Sequence, residues 1–334
     1  MAIPGPVPRR LVSVSAATAA VAGLTLLMPL AVPVLLAVDL VRRDRFPLSR
    51  GILMLWIFAI YEFAGILAAA ALWLGRAIVR PRPAEYAAWT GRFMARWGGG
   101  LFQWIALLYS LDVRITGEEA VRAPGPVVFL MRHSGIVDTL VPPGVVSLRN
   151  GRPLRYIVKD ELLWDPCLDI LGTRFPNVFV RRDGKDTAGQ VAAIRRLVGE
   201  LADDEGVLLY PEGTRFTERK RARILEKLRG SDQPAALARA ESLKRVLPPR
   251  RGGTLAVLQS APQADVIIAG NVGFEWATSK RQFWSGKLIG RRIHIDFRRI
   301  PAGEVPRDEE PALAWLGSEW AKVDRWVQDR EERE

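Results

Sequence analysis

Cysteine and histidine are nearly absent from this chain. Cys167 stands alone, and His133 and His294 are the two imidazoles among 334 residues. One cysteine excludes an internal disulfide framework and a thiolate metal cluster, and two histidines exclude a histidine-rich metal site. Nothing near Cys167 activates a thiolate, so a packed thiol is expected rather than a nucleophile. His294 alternates within Arg291-Arg-Ile-His-Ile-Asp-Phe297, which suits a surface position on a strand. Acid is also in short supply: 36 Asp and Glu against 48 Lys and Arg leave a net charge of +12. That balance calls for an anionic partner surface, either nucleic acid or lipid. No nucleic-acid recognition motif is present.

Charge is missing altogether from Leu11 to Val38, and from Gly51 to Gly75 it is reduced to Glu62. Each stretch is long enough to cross a bilayer core of about 30 Å with some tilt. The basic connection Asp39-Leu-Val-Arg-Arg-Asp-Arg45 joins them, so residues 1–82 predict a membrane hairpin with spans at 11–38 and 51–75. A cleaved signal peptide and a buried core hairpin are the competing readings. The first apolar stretch is longer than a usual signal segment, and a second follows at once. An ionised Glu62 is disfavoured in mid-span, and no function is attached to it. The flanking arginines slightly favour an integral membrane protein with its main domain on the cytoplasmic side.

Residues 83–110 interleave Tyr86, Trp89, Phe93, Trp97, Phe102, Trp104 and Tyr109 with Arg92 and Arg96. This mixture suits helices at the headgroup level or packed on a core, with Gly98-Gly-Gly100 predicted to separate one helix from the next. From residue 111 to 334 strands and helices alternate. Apolar runs predict buried strands at Val127–Met131, Arg155–Val158, Asn177–Val180 and Val207–Tyr210. Val191, Ile194, Leu197, Val198 and Leu201 recur at helical spacing, giving an amphipathic helix over 186–202. Further helices are expected over 254–259 and 309–331, with extended segments over 266–272 and 291–297. The order indicates a layered α/β domain.

Two motifs carry chemistry. His133 and Asp138 are five residues apart, which is about 140° on one regular helix. They meet if His133 ends a strand, Asp138 opens the next helix and Ser134-Gly135 makes the turn. An imidazole held by a carboxylate is suited to removing a proton from a hydroxyl near neutral pH. The second motif, Glu212-Gly-Thr-Arg215, follows an apolar strand directly, where open α/β sheets bind ligands. Gly213 permits close backbone approach, and Arg215 offers a donor fork suited to phosphate. Glu212 either joins that site or makes a structural ion pair with Arg215. Arg181-Arg182 at another strand end is either a second candidate phosphate contact, with Arg182 preferred, or a solvated pair at a helix start. The run Arg219-Lys-Arg-Ala-Arg223 is a solvated helix face or a grip on further phosphates. Lys159 to Leu163, with Trp164 and Pro166, is expected to pack as a wall of the cleft.

In order, these segments resemble the glycerolipid acyltransferases, above all the 1-acylglycerol-3-phosphate acyltransferases. The resemblance covers roughly residues 110–330: His133-x4-Asp138, Lys159-Asp-Glu-Leu162 with Pro166, Phe179-Val-Arg-Arg182, then Glu212-Gly-Thr-Arg215. Phe216-Thr-Glu-Arg-Lys220, Val246-Leu-Pro-Pro-Arg250 and Gly252-Gly253 look like the branch typified by eukaryotic lysophospholipid acyltransferases. The resemblance implies a mixed central sheet flanked by helices. It also implies a non-covalent reaction in which His133 deprotonates a glycerol hydroxyl while Asp138 orients the ring. Arg182, Glu212, Gly213, Thr214 and Arg215 match substrate-binding positions. The acyl donor would be acyl-CoA or acyl carrier protein, acting as co-substrate with no cofactor or metal, and the acceptor a lysophospholipid in a membrane. The family usually has Asn before the catalytic His, whereas Arg132 stands here. That departure keeps a second reading open: a catalytically silent membrane protein that holds anionic phospholipid.

Overall fold

A computed structural model describes residues 3–181 and 187–332. Two long helices open the chain, α1 (Pro6–Arg42) and α2 (Pro47–Val79), and they pack against each other as a hairpin. Both are long and apolar enough to cross a membrane. The hairpin is also tied to the rest of the protein near both ends of α1. At one end Arg9 donates to both carboxylate oxygens of Asp169, at 2.9 and 2.7 Å, in a buried ion pair. At the other, Arg45 donates to the carbonyl of Ile289 at 3.2 Å. Asp39 closes the turn, accepting the Ser49 hydroxyl at 2.7 Å and the Ser49 N–H at 2.9 Å. Glu62 is turned inward: it is buried, and Cys167 donates to its backbone carbonyl.

Helix α3 (Pro83–Leu108) runs unbroken through Gly98-Gly-Gly100, correcting the expected break. The reason is packing: the three glycines lie against Pro143, Leu148 and Tyr61, where a Cβ would collide. Small residues here let the helix approach its neighbours closely, and helical hydrogen bonds keep it continuous. Leu101, Phe102, Ile105 and Tyr109 of this region enter the core, so the second half of 83–110 packs on the domain.

The remainder is β1 (Asp112–Thr116), α4 (Glu118–Arg122), β2 (Val127–Met131), β3 (Leu154–Lys159), α5 (Pro166–Ile170), β4 (Val178–Val180), α6 (Thr187–Gly199) and β5 (Gly206–Leu209). Then follow α7 (Glu218–Arg229), α8 (Pro234–Ser242), α9 (Arg251–Ser260), β6 (Asp265–Val272), α10 (Lys280–Trp284), β7 (Arg292–Ile300) and α11 (Glu309–Glu331). The strands form one sheet in the order β1-β7-β6-β2-β5-β3-β4. Strands β2 to β6 are parallel, while β7 runs antiparallel to β6 and parallel to β1. The sheet is therefore mixed, as expected.

Alternate residues of the central strands feed two cores. Val127, Phe129 and Met131 join α2, α3 and the segment Val137–Val146 on one face. Val128 and Leu130 join α6, α9 and α11 on the other, around Trp320. Burial on both faces explains why β2 reads as an uninterrupted apolar run. It also places the carboxyl ends of five parallel strands along one edge, and both chemical motifs leave from that edge.

Candidate active site

His133 follows β2, and Val137–Leu140 is a single 3-10 turn containing Asp138. The intervening bend brings the pair together: His133 Nδ1 lies 3.0 Å from Asp138 Oδ1 and 3.1 Å from Oδ2. Asp138 is fully buried, and its Oδ2 also accepts the backbone N–H of Ser134 at 2.6 Å and of Gly135 at 3.0 Å. These bonds fix the carboxylate as the fixed partner of the ring. With Nδ1 taken, Nε2 is the nitrogen available to a substrate. The imidazole side chain keeps 16 % of its surface exposed. Its flank is covered by Tyr210, 4.5 Å away between ring centroids. Burial raises the Tyr210 phenol well above its ordinary value, and the Asp138 charge adds to the effect, so this ring is a neutral wall.

Glu212, at the end of β5, faces inward. Its Oε1 accepts the His133 backbone N–H at 3.1 Å and its Oε2 the Leu247 N–H at 2.9 Å. The carboxyl is nearly inaccessible and makes no ion pair with Arg215 among the described residues. Burial pushes Glu212 up to about 8, against the opposing pull of the Arg132 guanidinium and the two N–H donors. The loop is closed further where Phe216 N–H donates to the His133 carbonyl at 2.8 Å. The two motifs, some eighty residues apart in sequence, are thus directly bonded.

Gly213 has φ +68°, a left-handed conformation that glycine adopts without strain. Thr214 and Arg215 follow at the surface of the same turn. Lys220 supports it from α7, donating to Thr214 Oγ1 at 2.8 Å and to the Arg215 carbonyl at 2.9 Å. Thr217 caps that helix by accepting the Lys220 N–H. The Arg215 guanidinium has no acidic partner among the described residues. Arg182 lies outside the described residues. Its neighbour Arg181 pairs with Asp160 at 3.1 Å, which ties the end of β4 to the end of β3 beside the same edge.

Arg132 points away from the imidazole into the interior and is fully buried. It donates to the Asn271 carbonyl, to Glu275 Oε1 and, at 2.9 Å, to the Arg245 carbonyl. Asn271 returns a bond to the Arg132 carbonyl at 2.8 Å and accepts the Ser134 hydroxyl. Asn271, Glu275 and Asp324 escaped the sequence reading. Asn271 left a trace, as a polar residue inside an otherwise apolar strand. Asp324 left none, since its three accepted N–H groups at 244–246 come from a loop far away in sequence. Cys167 is buried with its thiol pushed far up by burial, as a packed thiol should be. His294 is half-buried on β7.

The fold and this edge define a layered α/β domain with a His–Asp pair and a glycine turn at the carboxyl ends of its parallel strands. A family model described as "Acyltransferase" matches residues 112–268. The chain is 25 % identical over 209 residues to the 1-acyl-sn-glycerol-3-phosphate acyltransferase epsilon of Mus musculus, covering 60 % of this chain and 56 % of the relative. It is 30 % identical over 165 residues to the gamma enzyme of Homo sapiens, covering 48 % and 42 %. The chain thus spans about half the length of these relatives. The crystal structure of the 1-acyl-sn-glycerophosphate acyltransferase PlsC from Thermotoga maritima shares the fold. Its TM-score is 0.51 at 12 % identity, over 82 % of this chain and 95 % of that one.

Proposed function

We propose that the chain is an O-acyltransferase that moves a fatty acyl group from a thioester donor to the free hydroxyl of lysophosphatidate or a closely related lysophospholipid. The observation that carries this reading is the His133–Asp138 contact at 3.0 Å, with the carboxylate buried and the second ring nitrogen left for a substrate. In the proposed step, Nε2 takes the hydroxyl proton and the oxygen attacks the thioester carbonyl. The tetrahedral intermediate then collapses, the carbon–sulfur bond breaks, and the imidazolium returns its proton to the departing thiolate. No acyl-enzyme is formed. Asp138 holds the ring and favours its charged form in passage. Glu212 positions the His133 loop, while Gly213, Thr214 and Arg215 face the acceptor's phosphate, with Arg182 as a further contact. The donor is acyl-CoA or acyl carrier protein.

The names of the relatives support the acceptor class, and the apolar hairpin supports a membrane setting. Leu11, Leu26, Leu30, Val41, Leu67 and Ile78 are exposed on its outer face. Leaving so much apolar surface in water is unfavourable at about 25 cal/mol per Å². We place that face in lipid and the domain on the cytoplasmic side. The silent lipid-binding alternative drew on Arg132, but that side chain is engaged internally and leaves the imidazole free. The test is a donor-by-acceptor activity matrix on detergent-purified protein, with products identified by mass spectrometry. Formation of phosphatidate from lysophosphatidate and an acyl thioester is expected. Lipid binding with no acyl transfer across the matrix would establish the alternative.

A further inference from the structure

A second guanidinium stands on the phosphate side of this edge. Arg250 belongs to the loop between α8 and α9, and its backbone N–H donates to the Pro211 carbonyl at 2.8 Å, which pins it beside the Glu212–Arg215 turn. Its side chain lies over Gly213. A Cβ placed on that glycine would fall 2.7 Å from Arg250 Cδ and 2.8 Å from Nε. So the absence of a side chain at 213 serves two ends: it permits the positive φ, and it leaves room for the Arg250 stem. The guanidinium is exposed and has no carboxylate partner among the described residues. Arg215, half-buried two residues from Gly213, likewise has no carboxylate partner among the described residues. No protein acceptor takes the backbone N–H of Thr214 or Arg215 among the described residues. The turn therefore gathers two cations without a carboxylate partner and two N–H groups without a protein acceptor among the described residues, with Lys220 bracing it from behind. Cations held near each other without counter-charge are unfavourable unless an anion arrives, and a dianionic phosphomonoester fits two donor forks better than a phosphodiester carrying one charge.

We propose that Arg250 is a headgroup-selecting residue: with Arg215 it binds the acceptor's terminal phosphate across Gly213 and makes the enzyme prefer a phosphomonoester. The inference rests on the acyl-transfer reading and names the group that selects its acceptor. Arg250→Ala is expected to fold, since the side chain is exposed and its anchoring bond is from the backbone. It should raise KM for lysophosphatidate roughly tenfold, the scale of one charge-assisted hydrogen bond, with kcat within about threefold of wild type. Activity on monoacylglycerol, which lacks the phosphate, should not change, and Arg250→Lys should recover part of the loss. A folded Arg250→Ala protein with wild-type KM for lysophosphatidate would overturn the assignment. Calorimetric titration of lysophosphatidate into the detergent-solubilised protein separates the two claims. A wild-type protein that transfers no acyl group refutes the enzyme reading. The titration still judges Arg250: weaker binding by Arg250→Ala upholds it, and equal binding removes it.

Discussion

Arg132 shows how a residue next to the His133–Asp138 pair is absorbed into the interior. A fully buried cation is tolerated only when its charge is met, and here Glu275 and two carbonyls meet it. Glu212 is the counterpart on the acidic side. Its folded value of about 8 stands above its ordinary 4.5. A carboxyl raised on folding favours the native state fully below the unfolded value, and that contribution fades as pH climbs from about 4.5 through 8. Denaturant midpoints measured across this window should therefore fall with pH in the wild type. Glu212→Gln, which cannot ionise, should show a flatter profile, and an unchanged slope would remove Glu212 as its source. At this scale much was legible. The His133–Asp138 spacing demanded a bend, and the bend is there. The inward turn of Glu212 was not legible, because its partners, the His133 and Leu247 N–H groups, are distant in sequence.

Among the elements, the hairpin has the most consequence for stability. Arg9 of α1 is buried against Asp169 of α5, 160 residues away, and Arg10 shares the same carboxylate at 3.2 Å. Removing one partner of a buried pair strands the other charge, at a cost of about 3–5 kcal/mol. Asp169→Ala should lower thermal stability in detergent accordingly, whereas truncating the exposed Arg229–Glu241 pair should shift it by under about 1 kcal/mol. Equal effects of the two changes would mean that the hairpin is not held by this clamp. Apolar length made both helices readable. Their docking along the domain was hidden, since an arginine before an apolar run reads as a flank and not as half of an internal ion pair. The misread break at Gly98-Gly-Gly100 has the same origin. Three glycines weaken a helix locally, but tertiary contacts with Pro143, Leu148 and Tyr61 prevail.

Taken whole, the molecule is a mixed sheet between two helical layers, with the hairpin against one of them. The alternation of strands and helices was readable because β2, β5 and β6 are buried on both faces and carry no polar residue apart from Asp265 at the start and Asn271 near the end of β6. The parallel arrangement then dictates the site, since the loops after β2 and β5 must emerge side by side. That adjacency places the His133–Asp138 pair directly beside the Glu212–Arg215 turn. The most direct test follows initial rates of thiol release with saturating lysophosphatidate and acyl-CoA, for wild type and His133→Ala at matched protein folding. A fall in kcat of at least about a hundredfold is expected, the lower scale for a positioned general base, with little change in lysophosphatidate binding. Turnover by His133→Ala at the wild-type rate would contradict it.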